Sequence, residues 1–254
     1  MKRWLMTWIC IGAATAAMAV IKTERVTYRQ GETTLEGLVA YDDAVTELRP
    51  GILIIHDWNG LDDYEIGRAK QLAELGYVAF AVDIYGQGVR PKTPAECGAE
   101  SSKYYQDNGL FRARLTAGLD ALKARPQVDA DRMVAIGYCF GGSGVVELAR
   151  SGADLKGAVT FHGGVNAAPA GVTSRIRAKF LVLHAIGDPV VPVANYMAFL
   201  DELTRQKVDF QSVVYNVATH AFSVPGPMYD AATDRRSWTA FRSFLNEVVP
   251  VKAP

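Results

Sequence analysis

Cysteine is scarce in this chain, and the scarcity removes whole classes of reading. Only three occur in 254 residues, at positions 10, 97 and 139, and no two form a C-x-x-C pair. Such spacing indicates neither a zinc site nor a disulfide framework. Charge of one sign is not in excess either, since 27 basic residues face 27 acidic ones. That balance gives no electrostatic reason to expect nucleic acid or an anionic membrane as partner. Long apolar runs are also missing, with one exception. Trp4 to Met18 follows the basic Met1-Lys2-Arg3 and precedes the small residues of Ala17-Met18-Ala19. The run is short for a membrane span and fits the core of a signal peptide cleaved after Ala19. This reading puts the mature protein, residues 20–254, in the periplasm or outside the cell. An uncleaved anchor and a mis-assigned start codon are the competing explanations.

What is present is an alternation of two periodicities. Val26-Thr27-Tyr28 and Leu35 to Ala40 flank the polar turn Gln30-Gly31-Glu32, which predicts a hairpin. Ile52-Leu53-Ile54-Ile55 and Tyr77 to Val82 are continuous apolar runs, of the kind buried on both faces of a parallel sheet. Between them Ile66, Ala69, Leu72, Ala73 and Leu75 keep helical spacing after a cap at Asp62 or Asp63, and Gly76 ends the helix. Residues 86–109, rich in Gly, Pro and polar groups, read as a loop with at most a short helix. Further strands are expected at Ala158 to Phe161, Phe180 to Ala185 and Phe210 to Tyr215. Helices are expected at Leu110 to Ala124, Ala194 to Gln206 and Thr233 to Val248. Strand follows helix throughout with no linker or repeat, so one mostly parallel, doubly wound α/β domain with an N-terminal antiparallel hairpin is predicted.

One stretch of this pattern carries chemistry. Met133 to Ile136 is a strand-type run that stops at Gly137-Tyr138-Cys139-Phe140-Gly141-Gly142, after which a helix is expected from about Ser143 to Arg150. This is the strand–nucleophile–helix turn G-x-S-x-G, with cysteine in place of serine. Glycines two residues to either side make room where a Cβ would strike the adjoining elements. A helix N-terminus favours a thiolate, so Cys139 is expected to be reactive. The plain alternative is a buried structural cysteine beside a glycine-rich turn.

A nucleophile of this kind needs a base, and the base needs an acid to orient it. Asp188, in Gly187-Asp188-Pro189, ends a predicted strand, and His220 lies in Thr219-His220-Ala221-Phe222 beyond the next one. Nucleophile, acid and histidine then follow in the order of α/β-hydrolases. Of the other histidines, His184 falls within a strand and reads as core. His162 ends a strand beside two glycines and reads as a pocket wall. His56, beside Asp57 and Trp58, reads as a support for the neighbouring loop, and Asp83 as a structural turn carboxylate.

These motifs resemble the dienelactone hydrolase family, cysteine-dependent enzymes of the α/β-hydrolase fold that open lactones and cleave esters. The resemblance covers about residues 26–248 and rests on the elbow together with His56-Asp57-Trp58-Asn59-Gly60, Asp83-Ile84-Tyr85-Gly86, Gly187-Asp188-Pro189 and His220-Ala221-Phe222. It implies Cys139 as nucleophile, Asp188 as acid and His220 as base, with the backbone N–H groups of Trp58 and Phe140 as oxyanion hole. Tyr85, Gln87, His162 and Phe222 are implied as pocket walls, and no cofactor or metal is implied. The family's thiol-contacting carboxylate is usually Glu. Here it is Asp57, one methylene shorter, so its contact with the thiol is expected to be lost or bridged by water. The arginines that clamp a substrate carboxylate are replaced by Gln87 and Val224, with Arg90 nearby on the loop. An ester or lactone without that carboxylate is therefore the expected partner, for a monomer or small homo-oligomer free of membrane once mature. An acyltransferase or thioesterase on the same residues, a non-catalytic binding module and a redox sensor at Cys139 stay open at this point.

Overall fold

The computed structural model describes residues 20–168 and 175–251; the apolar run, Cys10 and the expected cleavage site lie outside them. The chain opens with the hairpin β1 (Ile21–Gln30) and β2 (Thr33–Asp42), paired antiparallel along its whole length. Then come β3 (Arg49–Ile55), α1 (Asp63–Glu74) and β4 (Val78–Val82), followed by α2 (Pro94–Gln106) and α3 (Asn108–Lys123). The second half runs β5 (Val128–Tyr138), α4 (Phe140–Arg150), β6 (Gly157–Phe161) and β7 (Lys179–Ala185). It closes with α5 (Val193–Arg205), β8 (Phe210–Tyr215) and α6 (Ala231–Val248).

Among the described residues the strands make one sheet in the order β1-β2-β4-β3-β5-β6-β7-β8. β2 meets β4 antiparallel, and every neighbour from β4 to β8 is parallel. This is the mixed sheet of an α/β hydrolase, entered through an antiparallel hairpin. Strands β3, β4 and β6 are buried at every residue, as expected where helices cover both faces. Side chains alternate between the two layers. Leu53 and Ile55 pack with Phe111, Leu115 and Val145, whereas Ile52 and Ile54 pack with Leu72, Phe241 and Leu245. Leu53 has no accessible surface, so truncating it to Ala is expected to destabilise the fold by about 2–5 kcal/mol.

The sheet differs from the sequence reading in two places. The segment taken as loop contains α2, a 13-residue helix. Thr93 caps it in a reciprocal box with Glu96, and it buries only Cys97, Ser101 and Tyr104. A face that narrow leaves the rest of the segment polar, which is why periodicity missed it. The second difference is at the elbow, where α4 begins at Phe140, directly after Cys139, and not near Ser143. Helical geometry there is imposed by packing against β3, against the poor intrinsic propensity of two consecutive glycines.

Candidate active site

The residues singled out for catalysis lie past the carboxyl ends of parallel strands, where open α/β sheets bind ligands. His56 and Asp57 follow β3, Cys139 follows β5, His162 follows β6, Asp188 follows β7 and His220 follows β8. The elbow is tight. A Cβ on Gly137 would come within 2.1 Å of the Gly141 carbonyl oxygen, and one on Gly141 within 2.2 Å of that of Ile55. Cys139 itself has φ +50°, a left-handed backbone uncommon outside glycine and typical of strained functional turns. Its N–H bonds to the Phe161 carbonyl (3.1 Å) and its carbonyl accepts from Ser143 N–H (3.2 Å), so β6 and α4 hold the strained residue from both sides.

The surroundings of the sulfur oppose the thiolate that the helix terminus favours. Burial of the sulfur pushes its pKa well above the ordinary thiol value, and the charge of Asp57 with its hydrogen bond pushes further. The Phe140 N–H, bonded to the sulfur, pulls the other way and is outweighed. Asp57 and the sulfur lie near enough for each to shift the other's pKa. The Asp57 loop is tied to α1. The Asp57 N–H donates to Glu65 Oε1 (3.2 Å), and the same glutamate accepts from Asp62 N–H (3.3 Å) in the capping box of α1. Burial raises the Asp57 carboxyl, and bonds from Trp58 N–H and Cys139 offset it only in part. The Trp58 N–H bond to Asp57 Oδ1 measures 2.5 Å, so in this resting arrangement both expected oxyanion donors are engaged, one by Asp57 and one by sulfur.

Past the ends of β7 and β8, His220 Nδ1 bonds Asp188 Oδ2 at 2.7 Å. Asp188 Oδ1 accepts from Val190 N–H (2.7 Å) and Val191 N–H (3.0 Å). Burial alone would raise this carboxyl; His220 and the two N–H groups outweigh it, and its pKa lies below the usual carboxylate value. His220 Nε2 is buried and has no hydrogen-bond partner among the described residues.

The remaining residues sort by what they touch. His56 Nδ1 donates to the Asp57 carbonyl (2.6 Å) and Nε2 accepts from Ile84 N–H (3.2 Å), a pattern only the neutral ring satisfies. Burial lowers its pKa to about 4. It braces the loop, as read. Tyr85 does the same, donating to the Trp58 carbonyl at 2.9 Å. His184 stacks on Tyr196 at 4.3 Å in the core. Asp83 accepts from Tyr85 and Gly86 N–H groups and pairs with Arg90 at 3.5 Å, so both are structural. Gln87, read as a pocket wall, is exposed and bonds Glu36. His162 and Phe222 have no accessible surface and lie beneath the site instead of lining it. Val224 borders an open cavity of about 600 Å³ beside the loop, together with Asn59, Tyr64, Arg68 and Ser223.

Sequence reasoning missed several neighbours. Glu65 had a signal, the Asp62-x-x-Glu65 spacing of a capping box. Phe140 was read only for its backbone N–H, and nothing signalled that its side chain is the hub of His56, Tyr85, Tyr104, Tyr105 and Phe111, contributed by four separate segments. Tyr105, half exposed on α2, lies close enough to the thiol for the two to interact electrostatically.

The family model described as "Dienelactone hydrolase family" matches residues 35–249. The chain belongs to this family. As a dienelactone hydrolase-like enzyme it is a hydrolase of the ester- and lactone-cleaving type with small-molecule substrates. It is similar to the dienelactone hydrolase-like promiscuous phosphotriesterase P91 from metagenomic libraries, at 38% identity and a TM-score of 0.86 over 90% of this chain and 99% of that one. The structure named m3DLH matches at 37% identity and TM-score 0.87, again over 90% and 99%. The "Putative carboxymethylenebutenolidase" of Saccharolobus solfataricus is 26% identical over 78% of this chain and 89% of that protein.

Proposed function

We propose that this enzyme hydrolyses a small ester or lactone lacking a carboxylate near the scissile bond, through a Cys139–His220–Asp188 triad. The supporting observation is the 2.7 Å Asp188–His220 bond, which leaves Nε2 free at the sheet end that carries the elbow thiol. On substrate binding the thiol proton leaves for His220, directly or through Asp57, and the sulfur attacks the carbonyl carbon. The carbonyl oxygen becomes an oxyanion taken up by Trp58 and Phe140 N–H as Asp57 and sulfur release them. Collapse expels the alkoxide, which takes the proton from His220 and leaves an acyl-thioenzyme. Water deprotonated by His220 then cleaves the thioester, releasing the acid and restoring the thiol. No free arginine stands at the former clamp positions Gln87 and Val224, and Arg90 is committed to Asp83, which supports an uncharged substrate. The same nucleophile and donors suit a phosphoryl centre, and the likeness to P91 favours that as a second reading. Export to the periplasm or beyond, and a monomer or small homo-oligomer, are part of the proposal.

The test is turnover of a p-nitrophenyl acetate and butyrate panel, with diethyl p-nitrophenyl phosphate alongside. Cys139→Ala is expected to remove all hydrolysis while the far-UV circular dichroism stays native. Full activity in that variant would falsify the thioenzyme mechanism.

A further inference from the structure

His220 stands on an irregular loop between β8 and α6, and a single bond to Asp188 fixes only one edge of its ring. A ring held at one atom can still swing. The structure supplies a second restraint from an unexpected source. His162, the residue just past β6, presses its ring edge-on against that of His220, with centroids 5.3 Å apart and planes at 65°. It is itself locked to the His220 loop twice, by packing on Phe222 (4.9 Å) and by a 2.9 Å bond between Nε2 and Ser223 Oγ.

The bond continues outward as a chain. Arg68 Nε donates to Tyr64 Oη (3.3 Å), and Tyr64 O–H donates to Ser223 Oγ (3.1 Å). Arginine has only protons to give, so Tyr64 Oη accepts from Arg68 and passes its own proton toward Ser223 Oγ, which bonds His162 Nε2. Arg68 is anchored between the rings of Tyr64 (5.1 Å) and Trp238 (4.6 Å) and pairs with Asp234. Tyr64 and Arg68 belong to α1, the helix whose capping box holds Asp57. The chain therefore ties the thiol's carboxylate loop to the base's loop.

Two features argue that His162 is more than filler. Its φ is +40°, a left-handed backbone in a non-glycine residue, maintained by its N–H bond to the Leu183 carbonyl (2.9 Å). Its Nδ1 is a buried polar atom without a partner among the described residues, a burden that an apolar ring of similar size would not carry. Burial and the neighbouring His220 push its pKa well down, so it takes up a proton poorly.

We infer that His162, secured by Ser223 and Tyr64, is a positioning residue that sets the orientation of the His220 ring. The inference rests on the triad reading above. His162→Phe keeps the ring and removes the bond, Ser223→Ala removes the bond and keeps the ring, and Ser223→Thr restores a hydroxyl. Both of the first two are expected to lower kcat on p-nitrophenyl acetate about 10- to 100-fold. KM should stay within about twofold, the double variant should be no worse than the poorer single one, and Ser223→Thr should recover most of the loss. Tyr64→Phe should show a smaller fall. An independent readout is the downfield proton NMR signal of His220 Nδ1–H, expected to broaden in His162→Phe and Ser223→Ala. Unchanged kcat with an unchanged NMR signal, or losses confined to melting temperature and KM, would overturn the positioning role. Should Cys139→Ala stay active, the triad reading fails while the NMR comparison still decides whether His162 orders His220.

Discussion

Two buried aspartates stand at the ends of two strands of one sheet, and their environments drive them in opposite directions. Asp188 after β7 faces an imidazole and two backbone N–H groups, and its pKa falls. Asp57 after β3 faces a thiol, one N–H group and the buried Glu65, whose own carboxyl is pushed well up by burial and by Asp62 and Asp57. Its pKa rises. Residue type is shared; Asp57 is the more deeply desolvated, whereas at Asp188 the bonds from His220 and the two N–H groups outweigh burial. Under the proposed mechanism the contrast divides labour: Asp188 stays charged and orients the base, and Asp57 trades a proton with sulfur.

The contrast can be broken by removing one charge at a time. Asp188→Asn should have the largest effect, a fall of about 10³- to 10⁴-fold in kcat, because the amide holds the wrong tautomer of His220. Steady-state esterase kinetics check it, and a loss below tenfold would remove Asp188 from the triad. Asp57→Asn should lower kcat less, by about 10²-fold. The same change should speed alkylation of Cys139 by iodoacetamide at neutral pH, because a charge that raises the thiol pKa is gone; slower alkylation would contradict the assignment.

Melting temperatures should then separate the pair by sign. The depressed pKa of Asp188 contributes stability that is present above the unfolded value of about 4 and lost as pH falls through the folded value. Asp188→Asn should therefore melt lower at pH 7, by the equivalent of about 1.5–3 kcal/mol. The raised pKa of Asp57 works the other way. Between its unfolded and folded values the native state holds the extra proton, so stability declines as pH climbs past about 4. Asp57→Asn should melt slightly higher at pH 7, with the gain fading toward pH 4, measured by calorimetry across that range. The smallest effect is expected for Glu65→Gln. With its pKa already raised the residue resembles an amide, and kcat should change by less than about threefold.

The same two regions show how much could be read from residues alone. The elbow was legible because its steric demands act between neighbours: Gly137, Cys139 and Gly141 are two apart, and the turn needs them there. The acid and the histidine were legible as an order along the chain and as strand ends. Asp57 was named, yet the hold of Glu65 on its backbone N–H was not, because that contact forms between the loop and α1 and no reading of Asp57 alone shows it. Gln87, His162 and Phe222 were misplaced for a related reason, since position along a loop does not say which way a side chain turns. Helix α2 was lost because only Cys97, Ser101 and Tyr104 are buried along it.

By itself the sequence determined the alternation of strands and helices, the glycine-flanked turn and the residue types available at each strand end. Spacing rules such as 2.0 and 3.6 residues per repeat act over a few neighbours and are written in order. Tertiary structure alone decided the protonation of Cys139, the opposite fates of Asp57 and Asp188, and the packing of His162 under His220. Those properties come from desolvation and from charges brought close by the fold, and neither exists until the sheet is assembled.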